Sequence, residues 1–164
     1  MIKKIALIGM PGCGKTTIGE KLESETGIGL IDLDKYIVEV SGRSIEDMFN
    51  ISEDEFRREE TKALKMVNMD SVILSTGGGI IKREENRDHL KKNYRTIFID
   101  RPLESILSDV EDESRPLIKG NKERLIGLYN ERYDLYKEVC DFHIVNDSTL
   151  EEITSKILDI INSN

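Results

Sequence analysis

Short apolar runs alternate with amphipathic segments along the whole chain. Five of the runs are short and mostly apolar, which predicts strands covered on both faces: 5–8, 29–31, 72–75, 96–99 and 142–145. Helical spacing of apolar residues predicts helices at 15–25, 33–40, 44–50, 53–68, 83–91, 103–108, 121–139 and 149–161. The alternation favours an α/β fold with a parallel sheet in one domain, 1–164.

Two segments carry further local signals. Ser148 and Glu151 have the spacing of a capping box, which predicts the start of the last helix. Residues 109–120 lack apolar periodicity and contain Pro116 and Gly120. They predict an exposed segment, either a plain loop or a mobile lid.

Composition narrows the class of protein. The 164 residues include 24 Lys and Arg against 32 Asp and Glu, a net charge of −8, which disfavours binding to nucleic acid. No apolar run approaches the length of a membrane span or of a secretory signal, so we expect a cytoplasmic protein. The 2 cysteines and 2 histidines are isolated along the sequence, which disfavours a disulfide framework and a zinc site.

The most specific motif lies between the first predicted strand and the first predicted helix. Residues 9–16, Gly-Met-Pro-Gly-Cys-Gly-Lys-Thr, match the phosphate-binding (P-loop) pattern Gly-x4-Gly-Lys-[Ser/Thr]. Its glycines allow backbone N–H groups to converge on a phosphate at the N-terminus of the next helix. We expect Lys15 to span the β- and γ-phosphates of ATP and Thr16 to bind Mg²⁺. The strand–loop–helix context disfavours a chance glycine-rich turn.

Two further features follow predicted strands, at the sheet edge where ligands bind in α/β folds. Asp32 and Asp34 predict either a Mg²⁺ ligand and a partner for an acceptor hydroxyl, or the N-cap of the next helix. Gly77, Gly78 and Gly79 predict either a tight turn or a close approach of the backbone to a ligand. The P-loop, expected at the same edge, favours the ligand interpretation of both features.

Three charged residues fall on or beside apolar helical stripes. Arg132 interrupts one stripe, Glu60 interrupts another, and Arg57 lies one turn before Glu60. Such side chains either reach past the rim of the core to solvent or bind an anionic or polar partner. The sequence leaves both alternatives open.

In order and spacing, these motifs resemble the shikimate kinase family across nearly the whole chain. Besides the P-loop, the segments that carry the resemblance are Asp32-Leu33-Asp34, 42–49, 55–60, 77–79, Arg115-Pro116-Leu117 and 132–136. The ordered set is highly specific. It implies a three-layer P-loop kinase fold with a five-stranded parallel sheet of order 2-3-1-4-5, a helical substrate-binding region at about 33–60 and a mobile lid at about 109–120.

The resemblance also implies an activity and the residues that carry it. The activity is ATP-dependent phosphorylation of the 3-hydroxyl of shikimate in aromatic amino-acid biosynthesis, by a monomer with Mg²⁺ as cofactor. The ATP phosphates would be bound by Gly12, Cys13, Gly14, Lys15, Thr16, Thr17 and Arg115. Thr16 would bind Mg²⁺ directly, and Asp32 through water. Shikimate would be bound by Asp34, Arg57, Gly77, Gly78, Gly79 and Arg132, with Glu60 supporting Arg57. The catalytic residues would be Lys15, Asp34 and Arg115.

Ser108 and the acidic residues at 109–113 depart from the family pattern, and we assign the adenine pocket only to about 146–149. Two rival functions stay open. Another small-metabolite P-loop kinase, for gluconate or a nucleoside monophosphate, has no evident need for Arg57, Glu60 and Arg132 around Asp34. A nucleotide-sensing module would bind ATP without turnover and expose an apolar patch of roughly several hundred Å².

Overall fold

Five parallel strands form the sheet of the computed structural model, which describes residues 3–111 and 122–163. They are β1 (Lys4–Ile8), β2 (Leu30–Asp32), β3 (Val72–Ser75), β4 (Arg95–Asp100) and β5 (Phe142–Val145). Their order is β2-β3-β1-β4-β5, which confirms the order that the resemblance implied. In the middle of the sheet, Leu7 pairs with Ser75 on one side and with Ile97 on the other.

The helices agree with the predicted ones, and no end differs by more than three residues. They are α1 (Lys15–Thr26), α2 (Leu33–Ser41), α3 (Ile45–Ile51), α4 (Glu53–Met66), α5 (Glu84–Asn93), α6 (Leu103–Glu111), α7 (Lys122–Val139) and α8 (Leu150–Asn162), with a 3₁₀ turn at Ile80–Lys82. None of these helices is both long and apolar enough to cross a membrane. The largest difference is in α6, which runs through 109–111, so the start of the predicted lid is helical.

The sheet is covered on both faces. Ile5, Ala6, Leu7 and Ile8 are consecutive in β1 and all have 0% exposure. Because successive side chains of a strand point to opposite faces, helices must pack on each side. The three-layer α/β architecture is therefore confirmed.

Side-chain caps fix where several helices begin. Ser44 and Ser52 each accept a hydrogen bond at 3.0 Å from the backbone N–H three residues on. At α8 the cap is Thr149, which accepts from the N–H of Glu152 at 3.2 Å. The predicted box of Ser148 and Glu151 was wrong by one residue. The chain offers the same three-residue spacing twice in succession, and the local pattern cannot choose between them.

Candidate active site

The P-loop turns back on itself at the carboxyl edge of the sheet. Gly9, Gly12 and Gly14 have φ values of 150°, 80° and 100°, which residues with a side chain rarely adopt. A Cβ at Gly9 would also lie 2.5 Å from the carbonyl oxygen of Ile99, so glycine lets the loop pack on β4. Lys15 begins α1, and the loop therefore ends at a helix N-terminus that favours an anion.

Lys15 is largely buried under this loop, with 8% exposure. Its Nζ donates to the carbonyl oxygens of Gly9 at 2.8 Å and Met10 at 3.0 Å, and lies 3.5 Å from the Sγ of Cys13. A buried ammonium requires such partners. The positive charge is thus held beside the helix N-terminus, where the two together attract a phosphate group.

A cleft of about 670 Å³ opens beside the P-loop, within the usual size range of small-molecule sites. It contains all six P-loop residues expected at the ATP phosphates: Gly12, Cys13, Gly14, Lys15, Thr16 and Thr17. The other residues that line it are Ile18, Arg101, Ser105, Asp109, Asn146, Asp147, Ser148 and Leu150. Most of the segment expected near adenine, 146–149, therefore lies in the same cleft as the P-loop.

Asp32 and Asp34 lie at the junction of β2 and α2. The Oδ1 of Asp32 accepts from the backbone N–H groups of Asp34 at 3.0 Å and Lys35 at 3.3 Å, so this carboxylate does cap the helix. Asp34 lies in the first turn of α2, inside the helix predicted at 33–40, because β2 stops at Asp32. Burial, and then the charge of Asp32, raise the pKa of Asp34, while Lys15 and Arg57 oppose the shift.

Oxygen donors gather beside Thr16. Its Oγ1 lies 3.4 Å from the Oγ of Ser75, and Ser75 pairs in register with Asp32. Two hydroxyls and a carboxylate fit Mg²⁺, which takes hard oxygen ligands, keeps several waters and uses substrate phosphates as further ligands. The described residues contain no group of three His, Cys, Asp or Glu that could hold a metal, but a hydrated Mg²⁺ site does not require one.

Arg57 and Glu60 form a buried ion pair on α4. Their exposures are 9% and 0%, and the Nη1 of Arg57 donates to the Oε1 of Glu60 at 2.7 Å. They are therefore not rim residues that reach solvent. Burial raises the pKa of Glu60, although Arg57 opposes the shift. The Oε2 of Glu60 has no hydrogen-bond partner within the described part of the chain, so a polar ligand group is a suitable partner.

The glycine turn after β3 joins the P-loop to this pair. None of Gly77, Gly78 and Gly79 has a positive φ, so the turn conformation does not require glycine there. Close neighbours do require glycine. A Cβ built at Gly77 would lie 3.0 Å from the Oδ1 of Asp34, and one at Gly78 would lie 2.7 Å from the Cδ of Pro11. A Cβ at Gly79 would collide with the guanidinium of Arg57. The turn thus packs against the acidic junction, the P-loop and the arginine together.

Helix α7 contacts the same glycine turn. Arg132 is 6% exposed, which excludes the rim alternative for this residue as well, and its Nε has no partner among the residues described. Tyr136 is fully buried, and its hydroxyl donates to the carbonyl oxygen of Gly78 at 2.6 Å. Burial raises the pKa of Tyr136 far above its usual value, although the Arg132 guanidinium opposes the shift.

A known family matches almost all of the chain. The sequence model described as shikimate kinase matches residues 11–162. The chain belongs to the shikimate kinase family. Curated shikimate kinases include one from Clostridium botulinum strain Alaska E43, 47% identical over 165 residues and matched over 100% of both chains. Another, from Clostridium beijerinckii, is 43% identical over 165 residues, with 100% of this chain and 98% of the relative covered.

Solved structures of shikimate kinases share the fold. The enzyme from Acinetobacter baumannii, in complex with shikimate, has a TM-score of 0.87 and 32% identity, with 98% of this chain and 93% of that chain covered. The enzyme from Aquifex aeolicus has a TM-score of 0.81 and 33% identity, with 94% and 93% covered. The P-loop kinase fold that the motifs implied is therefore confirmed.

Most of the segment expected as the lid of a shikimate kinase lies outside the described residues, and Arg115 is among those left out. Sequence reasoning missed Arg101, which lines the described site, whereas Asn146 lies in the segment 146–149 that it assigned to the adenine pocket. Arg101 donates to the carbonyl oxygen of Gly12 at 3.0 Å and to Asp109 Oδ2 at 2.5 Å. Asn146 donates to the carbonyl oxygen of Cys13 at 2.9 Å. Arg101 directly follows β4, and this position after a strand is the signal that singled out Asp32 and could have found Arg101.

Proposed function

We propose that this member of the shikimate kinase family transfers the γ-phosphoryl group of ATP to the 3-hydroxyl of shikimate. The observation that carries the proposal is the buried pair of Arg57 and Glu60, placed next to Asp34 at the same sheet edge as the P-loop. Shikimate has one carboxylate and three hydroxyls, which two arginines and acidic acceptors complement. The related Acinetobacter baumannii enzyme forms a complex with shikimate.

On the nucleotide side, the chain supplies positive charge and alignment. The backbone of 12–17 cradles the phosphates of ATP, and the ammonium of Lys15 moves from its carbonyl partners to the β- and γ-phosphates. Thr16 would hold Mg²⁺ directly and Asp32 through water. When bound, the ion neutralises charge that develops on the phosphate oxygens. Arg115 would add a further positive charge from 109–120.

On the acceptor side, the chain orients shikimate. Arg57 and Arg132 bind the anionic and polar groups of shikimate. Glu60 holds the guanidinium of Arg57, and the 77–79 turn packs against it. Asp34 accepts a hydrogen bond from the reacting hydroxyl and polarises it towards the phosphate. The raised pKa of Asp34 moves this carboxylate closer to the range in which a proton acceptor is effective at neutral pH.

We further propose that the enzyme acts as a monomer in the cytoplasm. The described residues of the nucleotide cleft and of the cluster around Arg57 and Glu60 come from one chain, so a second copy is not needed to complete the site. Cys13 and Cys140 are free thiols, which suits a reducing compartment.

An acceptor panel tests the function. Release of ADP is followed in a coupled assay with shikimate, gluconate, nucleoside monophosphates or no acceptor, and the position of the new phosphate is assigned by NMR. We expect turnover with shikimate alone and phosphate on the 3-hydroxyl. Comparable kcat/KM on gluconate or a nucleoside monophosphate would favour the rival kinases. Binding of ATP without any phosphorylated acceptor would favour the sensing module.

A further inference from the structure

A buried carboxylate that has no part in the proposed chemistry lies at the end of β4. Asp100 is 9% exposed, and its Oδ2 accepts a hydrogen bond from the hydroxyl of Tyr133 at 2.8 Å. The Nε2 of His143 lies 2.7 Å from the same oxygen. Burying a carboxylate is unfavourable unless it is hydrogen-bonded. Two partners at one oxygen hold this carboxylate in a single orientation.

The backbone of Asp100 is fixed against the nucleotide cleft. Its carbonyl oxygen accepts the N–H of Asn146 at 2.8 Å, and Asn146 in turn donates from its side chain to Cys13 in the P-loop. The next residue, Arg101, donates to the carbonyl oxygen of Gly12. Asp100 is therefore rigidly placed relative to the P-loop.

The side chain of Asp100 contacts α7, the helix that carries Arg132. Tyr133 directly follows Arg132 on α7, and Arg132 has a guanidinium nitrogen without a partner among the described residues. The position of this guanidinium follows that of α7, because its interaction with Tyr136 lies on the same helix. Aromatic side chains make much of the contact between the sheet and this part of α7. The ring centroid of Phe98, on β4, lies 5.6 Å from that of Tyr133 and 5.1 Å from that of Tyr136.

Aromatic packing and hydrogen bonds constrain a helix differently. Dispersion contacts between rings change little when a helix slides or rotates slightly, whereas a hydrogen bond weakens steeply as its angle departs from linear. The hydroxyl of Tyr133, together with that of Tyr136, therefore constrains the rotation of α7. A misplacement of about 1 Å in a binding group can reduce a rate by roughly 10²-fold.

We propose that Asp100 is a positioning residue, which fixes α7 relative to the P-loop through Tyr133 and so places Arg132 for shikimate. The proposal rests on the proposed function and adds to it a direct link between the nucleotide wall and the acceptor wall.

Tyr133→Phe tests the link with the smallest possible change, because it removes the hydroxyl and keeps the ring on Phe98. We expect the KM for shikimate to rise roughly 2- to 13-fold, the range for the loss of one hydrogen bond. The KM for ATP should stay unchanged, since the backbone contacts of Asp100 remain. The matched control is Tyr94→Phe, which removes a hydroxyl from a buried tyrosine just before β4 and should leave both KM values unchanged.

A double-mutant cycle separates positioning from a general structural role. If Tyr133 acts through Arg132, adding Tyr133→Phe to Arg132→Ala should not weaken shikimate further, as measured by KM or by calorimetry. The proposal is overturned if Tyr133→Phe lowers only the melting temperature, or if its effect is undiminished in the Arg132→Ala background. A wild-type chain that is inactive on shikimate would refute the proposed function and this proposal with it. An active wild type with an unresponsive Tyr133→Phe refutes only the positioning.

Discussion

At the scale of single residues, Asp34 and Glu60 are carboxyls whose burial suits the proposed function but disfavours their ionised form in the folded chain. Burial is the first cause of the raised pKa of both carboxyls. A carboxyl whose pKa is higher in the folded than in the unfolded chain stabilises the fold fully below its unfolded value, and this contribution is lost as the pH rises through the folded value. At neutral pH the ionised Asp34 therefore makes the ligand-free protein less stable than its amide would, whereas Glu60 also holds the buried guanidinium of Arg57.

Asp34→Asn should separate the two effects. We expect kcat to fall by roughly 10²-fold or more, because the amide cannot polarise the acceptor hydroxyl. The melting temperature of the ligand-free variant at pH 7 should be equal to or higher than that of the wild type. In the wild type, activity should decline on the acid side at a higher pH than an ordinary Asp allows. Steady-state kinetics against pH and calorimetry measure these quantities.

The control for this variant is Asp54→Asn, which changes an exposed first-turn carboxylate of α4. It should leave kcat unchanged. Normal turnover in Asp34→Asn would mean that Asp34 has no role beyond the local structure of α2.

Arg57→Ala should weaken shikimate far more than ATP. The loss of a charge-assisted pair predicts an increase in the KM for shikimate of about 10- to 150-fold. Arg57→Lys should recover only part of the loss, since an ammonium cannot reproduce the planar guanidinium fork. The control is Arg58→Ala on the same helix, whose side chain is 63% exposed. A normal KM for shikimate with impaired ATP binding would assign Arg57 to the nucleotide side.

At the scale of elements, the turn at 77–79 shows that one short loop can contact both the nucleotide-binding loop and the proposed acceptor residues. A Cβ at Gly78 would press on the ring of Pro11, and one at Gly79 would press on the guanidinium of Arg57. The first neighbour belongs to the rigid P-loop, and the second is the end of a long side chain.

The two substitutions should therefore act on different substrates. We expect Gly78→Ala to raise the KM for ATP and Gly79→Ala to raise the KM for shikimate, each by about 10-fold or more, because binding groups are displaced. The control is Gly127→Ala, where a Cβ meets nothing within 4 Å. This change in the interior of α7 should stabilise the protein by about 0.5–1 kcal/mol. If Gly78→Ala and Gly79→Ala gave identical kinetic changes, the separate contacts would not explain the turn.

At the scale of the whole molecule, two sites share one sheet edge but use different residues. A ligand at about 100 times its Kd should stabilise the folded chain by about 2.7 kcal/mol, so each site has its own thermal shift. Lys15→Ala should abolish turnover and the shift produced by ADP, and keep the shift produced by shikimate. Arg57→Ala should do the reverse. The control is Lys21→Ala, an exposed change on α1, which should keep the thermal shifts produced by ADP and by shikimate. If Lys15→Ala lost both shifts, the two sites would not bind independently.

The sequence predictions were accurate where the residues that interact are close together in the sequence, and failed where they are far apart. The P-loop was predictable because its eight residues are contiguous, and the pairing of Arg57 with Glu60 because both lie on one helix. Arg101 and Asp100 were missed, since their partners Gly12 and Tyr133 are distant in the sequence and meet only when the sheet assembles. The N-cap of α8 was misplaced by one residue because two successive positions offer the same spacing to an acidic residue.

The three contacts of the glycine turn also bear on how this enzyme can change over evolutionary time. Any side chain at 79 would collide with Arg57, and any at 77 or 78 would crowd Asp34 or the P-loop. A mutation at 78 or 79 should therefore be better tolerated after its neighbour has been replaced. Lineages that acquire a new acceptor should alter α4 and α7 first and keep the glycines. We therefore expect the sequence of the turn to vary less among related kinases than the proposed shikimate-binding residues of these two helices.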